Sequence, residues 1–382
     1  MKTLQNQLIK SIKENNLLKI SAHLVDGRRV YYATYLSPSG KKYLGCAKSD
    51  EPILGVITSV AECVERYIFY TTVPDVIGRS GFNQSLEPVK DYGYFQDWQF
   101  QLPNFNYKPW NASESQDWMI MCDLYGQERL FPFEGGSSSK DYFRASSSGW
   151  SVHQSSKEAF ENALLEAIER HILINTWLNS RVKIYRVEKW EDLKISSYNL
   201  IGCDIYLVEC YGVYLAIVRS SFNGTNWFIT TDCNYDPIQA VFGALNGIRQ
   251  KKDWIIKALT IKKNFSKDAS HFHRMKYYEN GDMFFDTYLS TAREISLKEI
   301  NLLPISDLNG LKRRLEKFGK RIFFKKIAMP AELKLPLVGM KVSVNGLFPG
   351  TFGADIHLPL YNFKADKNFN NKHSAIRYHP FA

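Results

Sequence analysis

Two segments of the sequence place glutamates three residues apart, each pair followed directly by an arginine. They are Glu62, Glu65 and Arg66 in SVAECVERYIF (59–69) and Glu166, Glu169 and Arg170 in ALLEAIERHIL (163–173), at a constant offset of 104 residues. Like charges this close on a helix are mildly destabilising, and solvated helix faces usually mix signs. Carboxylates are ligands that Mg²⁺ uses together with substrate phosphates, and arginine can hold a phosphate or a carboxylate. The repeated module therefore indicates a site for Mg²⁺ and a nucleotide, with two ordinary solvated helix faces as the open alternative.

The elements that carry both modules have the periodicity of amphipathic helices. At about 100° per residue, Glu158, Glu166 and Glu169 fall within about 80° of one another. The opposite side of that helix is predicted to lie in the core, and it carries Phe160, Leu164, Ala167 and Ile168. In the first helix the apolar stripe is Ile57, Val60, Ala61, Val64 and Ile68, and the polar side is Ser59, Glu62, Glu65 and Arg66. Glu161 lies within the apolar stripe, and the metal hypothesis gives it no role.

Helical and strand-like patterns alternate along the rest of the chain. Helical periodicity occurs near 55–70, 156–178, 236–258 and 306–318, and β-rich runs are RRVYYATYL, DIYLVECYGVYLAIVRSS, NWFITTD, RIFFKKIAM and PLVGMKVSV. Tyr211-Gly212 separates two of these runs and predicts a hairpin turn. Helices mixed with hairpins predict an α+β fold with mixed sheets rather than a doubly wound sheet. The repeat adds two related strand–loop–helix units to that prediction.

Composition and motifs exclude several classes of protein. The chain has 382 residues, 45% of them hydrophobic and 14% aromatic, which favours a globular fold over disorder. No run approaches the roughly 18 apolar residues of a membrane span, and the N-terminus lacks a signal-peptide core, so we expect a cytoplasmic protein without a membrane partner. The six cysteines form no C-x-x-C pair, which disfavours structural zinc and disulfides. The net charge of +10 permits a nucleic-acid partner, but no nucleic-acid motif and no P-loop accompany it.

The modules and their surroundings resemble the YcaO family. SSSGWSVHQSSKEAFENALLEAIERHI resembles the family's S-N-G-x-A-x-G-N-T-x-E-E-A-x-x-x-A-L-x-E-x-I-E-R segment, and GCAKSDEPILGVITSVAECVERY resembles its earlier G-K-G…S-A-x-x-E-x-x-E-R segment. DPIQAVFGALNGIRQKK resembles its third helix, LPLVGMKVSVNGLFPG its late strand, and RYHPFA the H-P-F-P tail of its azoline-forming members. The resemblance implies a catalytic domain over 28–382 with a C-terminal tail at 374–382, packed around a nucleotide site. An amphipathic helical region at 1–27 precedes it.

The resemblance implies ATP and Mg²⁺ as cofactors and assigns residues to them by position. The Mg²⁺–phosphate ligands are Glu62, Glu65, Glu166 and Glu169. Further nucleotide contacts are Lys48, Ser151, Gln154, Glu158, Arg170, Gln250 and Lys252. The sequence departs from the family pattern at Ser148, where the family has asparagine, and at Gly247 and Lys252, where its third helix has glutamate and arginine.

The tail RYHPFA is the third part of the implied site. The resemblance places it beside the ATP site, where His379 or the terminal carboxylate of Ala382 would act as a base on the substrate. Pro380 restricts the residue before it to extended conformations, which suits a segment lying in a groove. A frayed terminus is the alternative.

The activity that the resemblance implies is that of an ATP-dependent cyclodehydratase subunit acting on a ribosomally made precursor peptide. It phosphorylates a backbone amide oxygen and forms thiazoline or oxazoline rings. The expected partners are the precursor peptide, a separate leader-binding protein resembling ubiquitin-activating enzymes and a flavin-dependent dehydrogenase. Two alternatives stay open: a YcaO enzyme that forms thioamides or amidines or assists methylthiolation, and a non-catalytic basic protein that binds peptide or RNA on the same scaffold.

Overall fold

The computed structural model describes residues 2–25, 28–78, 86–87, 100–101, 108–109, 111, 116–136, 147–178, 183–188, 203–222, 226–248 and 283–347, and every statement about the fold refers to these. The chain divides into two compact units. Unit 1 comprises Met1–Gly93, Asn106–Ala167 and Arg321–Asn345, and unit 2 comprises Tyr94–Phe105, Ile168–Lys320 and Gly346–Ala382. The division into 1–27 and 28–382 stays a prediction.

Within the described residues, the structure has a helix wherever the periodicity predicts one. They are α1 (Lys2–Glu14), α2 (Pro52–Thr71), α3 (Ser156–Leu178), α4 (237–248), α5 (Met283–Ser290), α6 (Leu297–Asn301) and α7 (Leu308–Lys317). The helices predicted near 55–70, 156–178 and 306–318 are confirmed as α2, α3 and α7, whereas the one predicted near 236–258 is described only as far as residue 248. None of the described helices is long and apolar enough to cross a membrane.

The strands of the described residues form three sheets. In chain order they are β1 (Leu18–Val25), β2 (Arg28–Leu36), β3 (Lys42–Lys48), β4 (Val76–Gly78), β5 (Gln116–Asp123), β6 (Glu128–Pro132), β7 (Trp150–His153), β8 (Ile184–Val187), β9 (Cys203–Cys210), β10 (Val213–Phe222), β11 (Asn226–Asn234), β12 (Arg293–Ile295), β13 (Ile322–Ile327) and β14 (Val338–Val344). Only the pairing of β12 with β8 is parallel among the described strands. Helices combined with these mostly antiparallel sheets confirm the predicted α+β class.

Unit 1 contains two of the sheets. One has the order β1-β2-β3, and the other has the order β4-β5-β13-β14-β7, with β6 paired to β5. Strand β1 lies within the region 1–27 and pairs with β2 along its whole length. The largest fully buried side chains of the larger sheet include Trp118, Trp150 and Met119. Late strands β13 and β14 therefore complete a sheet whose other strands come from the first half of the chain.

Helix α2 lies against the small sheet at an unusually close approach. A Cβ placed on Gly45 in β3 would lie 2.0 Å from the carbonyl oxygen of Ser59 in α2, so only glycine fits there. Ser59 itself is fully buried, and its hydroxyl donates to the Val56 carbonyl at 2.9 Å. The prediction that Ser59 lies on the polar side of α2 is wrong, because this local hydrogen bond satisfies the hydroxyl and lets the residue face the strand.

Unit 2 contains the sheet with the order β11-β10-β9-β8-β12. The hairpin predicted at Tyr211-Gly212 is confirmed, since these two residues join β9 to β10 with φ of 51° and 78°. Two positive φ angles in a two-residue turn match the twist of the flanking strands. Helix α4 contacts β11, where Thr230 donates its hydroxyl to the Ala244 carbonyl at 2.6 Å. Strands β9 and β10 contribute several core residues of unit 2, including Ile205, Leu207, Leu215 and Ile217.

Candidate active site

Glu62 is held in place by the strand that precedes its helix. The backbone N–H of Cys46 in β3 donates to Glu62 Oε2 at 2.7 Å. Arg66, one turn further along α2, donates to Glu62 Oε1 at 2.5 Å and to the Leu44 carbonyl at 2.7 Å. Both carboxylate oxygens of Glu62 are thus engaged, and Arg66 ties the carboxylate to the edge of β3. A cation that takes Glu62 Oε1 as a ligand would displace Arg66 from it.

Glu166 has the same relationship to the segment that precedes α3. The backbone N–H of Gly149, just before β7, donates to Glu166 Oε2 at 3.2 Å. The donor precedes the glutamate by 16 residues in the first module and by 17 in the second. The sequence repeat is therefore a structural repeat, in which a main-chain N–H fixes one oxygen of the first glutamate of each E-x-x-E-R motif.

The second glutamates and the arginines diverge between the two modules. Glu169 accepts a hydrogen bond from the Thr231 hydroxyl of β11 at 2.7 Å, and both residues belong to unit 2. Arg170 lies 3.6 Å from Glu169, its direct neighbour, whereas Arg66 reaches back to Glu62. Glu65 is partly exposed on α2. The two arginines are therefore not equivalent, although the sequence repeat aligns them.

Asp232 is a carboxylate near Glu169 that the sequence reasoning did not select. Burial, and secondarily the charge of Glu169, raises the pKa of Asp232 to about 8. Both effects favour the protonated, uncharged form of this carboxyl in the protein alone. Its position in β11 faces Gly243 of α4, where a Cβ would lie 2.2 Å from an Asp232 carboxylate oxygen. The sequence signal was weak: one acidic residue in a β-rich run that is otherwise uncharged, NWFITTDCN.

Three of the predicted nucleotide-contacting residues lie in β7 and at the start of α3. Ser151 is buried in β7, opposite Met340 of β14. Gln154 follows the strand, and its side-chain nitrogen is buried without a hydrogen-bond partner among the described residues. Glu158 accepts from the Ser155 hydroxyl at 2.7 Å and lies 2.8 Å from His153 Nδ1. A buried amide donor without a partner is costly, and a bound nucleotide would satisfy it.

The structure describes the remaining predicted site residues only in part or not at all. Lys48 is the last residue of β3, paired with Val30, and only its backbone is described. Gln250, Lys252, His379 and Ala382 lie outside the described residues. Their assignments stay predictions.

The carboxylates of the two modules fit Mg²⁺ in donor chemistry, but not as a complete protein cage. Within the described parts of the chain, no group of three or more His, Cys, Asp and Glu side chains could hold a metal ion by itself. Mg²⁺ commonly binds through one or two carboxylates and completes its octahedron with water and substrate phosphates. The arrangement therefore suits a metal that arrives with a nucleotide better than a resident structural metal. All six cysteines are free.

A comparison of the sequence with models of protein families identifies the family to which the chain belongs. A family model described as YcaO cyclodehydratase, ATP- and Mg²⁺-binding, matches residues 48–347. The predicted resemblance and the predicted cofactors, ATP and Mg²⁺, are confirmed by this match. No curated protein sequence matches the chain significantly.

Solved structures with similar folds agree with the family match. YcaO from Methanopyrus kandleri bound with AMPPCP and Mg²⁺ is 16% identical, with a TM-score of 0.66 over 93% of this chain and 96% of that one. The E. coli microcin synthetase McbBCD complex with pro-MccB17 bound gives 13% identity and a TM-score of 0.66, over 96% of each chain. A heterocyclase in complex with substrate and cofactor is 14% identical, with a TM-score of 0.65 over 92% of this chain. The chain spans about half of that heterocyclase, 54% of its length. At identities this low, the structural likeness shows a shared fold alone.

Proposed function

The chain belongs to the YcaO family, and we propose that it is the ATP-dependent cyclodehydratase subunit that forms thiazoline or oxazoline rings in a ribosomally made precursor peptide. The observation that carries the proposal is the pair of modules in which a main-chain N–H fixes the first glutamate, Glu62 or Glu166. A solvated helix face has no need of such anchoring. Carboxylates held in this way are pre-organised to receive a metal–nucleotide complex.

The reaction proposed here is a cyclodehydration of the peptide backbone. A Cys, Ser or Thr side chain of the substrate attacks the preceding carbonyl carbon, and the former carbonyl oxygen leaves as phosphate, so that a ring forms and one water is formally lost. Bound ATP would supply the phosphoryl group and leave as ADP, Mg²⁺ would neutralise charge on its phosphates, and the amide N–H would give up its proton as the C=N bond of the ring forms. The protein's own contribution is positioning and electrostatic stabilisation, as is usual in phosphoryl transfer.

The residues of this chain take distinct parts in that positioning. We propose that Glu62, Glu65, Glu166 and Glu169 hold the metal, and that the nucleotide-contacting residues are Lys48, Ser151, Gln154, Glu158, Arg170, Gln250 and Lys252. The partnerless nitrogen of Gln154 supports a ligand at β7, because a buried donor is seldom left unsatisfied. For the tail segment that contains His379 and Ala382, we propose that it supplies the base that accepts the proton of the attacking side chain, with His379 as the side chain able to do so.

The proposed partners follow from the substrate. They are the precursor peptide, a separate leader-binding protein that resembles ubiquitin-activating enzymes and a flavin-dependent dehydrogenase that would oxidise the rings to azoles. The likeness to a microcin synthetase complex with a bound peptide supports a multi-subunit assembly. We place the reaction in the cytoplasm, where ATP is available.

A second function is favoured by one position of α4. Gly247 stands where the family pattern has a glutamate, and a Cβ there would lie 3.2 Å from Thr230 Cβ, so a larger side chain would be crowded. A protein that lost this glutamate could act as a non-catalytic scaffold that binds peptide or RNA.

ATP hydrolysis by the purified protein, with and without the precursor peptide, separates the two functions. The enzyme is expected to hydrolyse ATP faster when the peptide is present. A scaffold would bind the peptide without any ATP turnover, and that result would contradict the proposed enzyme. Thioamide or amidine formation, the alternative within the family, would give ATP turnover but a different mass change in the peptide.

A further inference from the structure

A buried ion pair in unit 1 lies next to the segment that anchors Glu166. Lys341 of β14 is 3% exposed, and its Nζ lies 2.6 Å from Glu134 Oε2. Glu134 is 8% exposed and also accepts from the Ser343 hydroxyl at 3.4 Å. Burying two charges is expensive, and a well-packed apolar pair of similar size is often at least as stable. The pair therefore calls for a role besides stability.

Lys341 makes a second contact that reaches the candidate metal ligand. Its ammonium donates to the Ser148 carbonyl at 2.8 Å. The N–H of the same peptide unit is that of Gly149, which donates to Glu166 Oε2 at 3.2 Å. The planar Ser148–Gly149 peptide group thus accepts a hydrogen bond from Lys341 at its oxygen and donates one to Glu166 from its nitrogen.

The backbone around this peptide group is fixed on both sides. Val342 donates its N–H to the Gly149 carbonyl at 2.7 Å, and Trp150 donates its N–H to the Ser147 carbonyl at 3.0 Å. Gly149 has φ of +73°, and a Cβ on it would lie 2.3 Å from the Val342 carbonyl oxygen. A rotation of the Ser148–Gly149 peptide plane would turn its N–H away from Glu166 and its carbonyl oxygen away from Lys341.

We propose that Lys341 is a positioning residue for Glu166, acting through the Ser148–Gly149 peptide, and that Glu134 keeps the lysine in place. The inference rests on the proposed role of Glu166 as a Mg²⁺ ligand. An ammonium on the carbonyl oxygen also polarises the peptide and strengthens its N–H as a donor, since hydrogen bonds in series reinforce one another. Partners of this kind, one step behind a metal ligand, orient the ligand and tune its affinity for the metal.

The test replaces both charges at once. Lys341→Met alone would leave Glu134 buried without its cation and would unfold part of the protein. The variant Lys341→Met with Glu134→Gln removes the pair and leaves the Ser148 carbonyl without its ammonium. Lys325 is the matched control: it is the cross-strand partner of Lys341 on β13, and it pairs with Asp75 instead. Lys325→Met with Asp75→Asn removes a neighbouring ion pair from the same sheet.

Two measurements on the full-length protein decide the proposal. The first is the apparent Mg²⁺ affinity at a fixed concentration of a non-hydrolysable ATP analogue, by titration calorimetry. We expect the apparent Mg²⁺ affinity of the Lys341/Glu134 variant to fall about ten- to a hundred-fold. The affinity of the Lys325/Asp75 variant should equal that of the wild type. In a Glu166→Gln background the Lys341/Glu134 changes should cause no further loss of Mg²⁺ affinity, because both act through one carboxylate that is already gone.

The second measurement is hydrogen exchange at the Gly149 amide, which needs no ligand. Exchange should accelerate at least tenfold in the Lys341/Glu134 variant and stay unchanged in the control. Unaltered exchange, or a Mg²⁺ affinity equal to that of the control, overturns the positioning role. If the wild type itself binds no Mg²⁺–nucleotide, the proposed function fails, and the exchange rate at Gly149 still decides whether Lys341 orients this peptide.

Discussion

Gly149 donates its backbone N–H to Glu166 Oε2 at 3.2 Å from a left-handed conformation with φ of +73°. A side chain at this position would meet two costs: strain of the backbone and a clash with the carbonyl oxygen of Val342 at 2.3 Å. The turn before β7 therefore depends on glycine for its shape, and the Glu166 carboxylate depends on the turn for its anchor. The corresponding anchor in the first module, Cys46, lies in a regular strand and has no such requirement.

Gly149→Ala should both destabilise the protein and weaken Mg²⁺–nucleotide binding. The expected loss of unfolding free energy is about 1–3 kcal/mol, because left-handed strain and a backbone clash add. Gly126→Ala is the control, since Gly126 has φ of +81° but nothing within 4 Å of a Cβ. Chemical denaturation and nucleotide titration measure the two effects. Equal losses in the two variants would show that the close approach to Val342 is unimportant.

Gln154→Met should have opposite effects on stability and on ligand binding. The buried side-chain nitrogen of Gln154 has no partner among the described residues, so replacing it with an apolar group of similar size removes an unsatisfied donor. The variant without ligand is therefore expected to melt at the same or a higher temperature than the wild type. The rise in melting temperature on adding Mg²⁺–ATP analogue should be smaller. An undiminished rise would remove Gln154 from the nucleotide contacts.

His171 should make the stability of the protein fall in mild acid. Burial, with a smaller contribution from Lys320, lowers the pKa of this histidine from 6.5 to about 3. The neutral form is favoured in the fold, so its stability contribution is complete above about pH 6.5 and is lost as the pH falls towards 3. The loss is about 1.4 kcal/mol per pH unit within that window.

The measurement is the unfolding free energy at several pH values between 7 and 4.5. His171→Phe keeps a ring beside Tyr211, whose centroid is 6.0 Å away, and should flatten the pH dependence. His23→Phe, at an exposed position of β1, is the control for replacing a histidine ring outside the core. A wild-type slope that survives His171→Phe would assign the acid sensitivity to other groups.

The tail prediction concerns residues outside the described part of the chain. Deleting 379–382 should stop ring formation while ATP-analogue binding remains, because a base must reach its proton within hydrogen-bonding distance and contributes little to nucleotide affinity. His379→Ala separates the side chain from the length of the chain. A truncated protein that cyclises its peptide at the normal rate would show that residues 379–382 do not supply the base.

Local patterns predicted the elements of this fold well. The periodicity of residues 156–178 coincides with α3, and the buried Phe160, Leu164 and Ile168 lie where the helical stripe places them. Tyr211-Gly212 is recognisable as a turn because its neighbours on both sides are β-rich, and it joins β9 to β10. The repeat of E-x-x-E-R was readable for the same reason: identical spacing in two helices leaves a trace in the sequence.

Contacts between distant segments could not be predicted in this way. In the sequence, Lys341 is a single cationic residue in the strand VGMKVSV. The Ser148 carbonyl to which it donates is 193 residues away. Ser59 reads as polar, yet it lies against Gly45 because its hydroxyl is satisfied within α2. Asp232 gains its altered pKa only when β11 is placed beside Glu169. In each case burial depends on tertiary packing, which spacing along one helix or strand does not reveal.

The mass of the precursor peptide after reaction with the protein, its partner subunit, ATP and Mg²⁺ tests the proposed function most directly. We predict that the wild type removes the mass of one water molecule per ring, and that Glu65→Gln and Glu166→Gln abolish this loss with their fold intact. Glu161→Gln, on the same helix as Glu166 but without a proposed role, should behave as the wild type. A peptide that keeps its full mass with the wild type, or loses water equally with Glu166→Gln, would contradict the proposal.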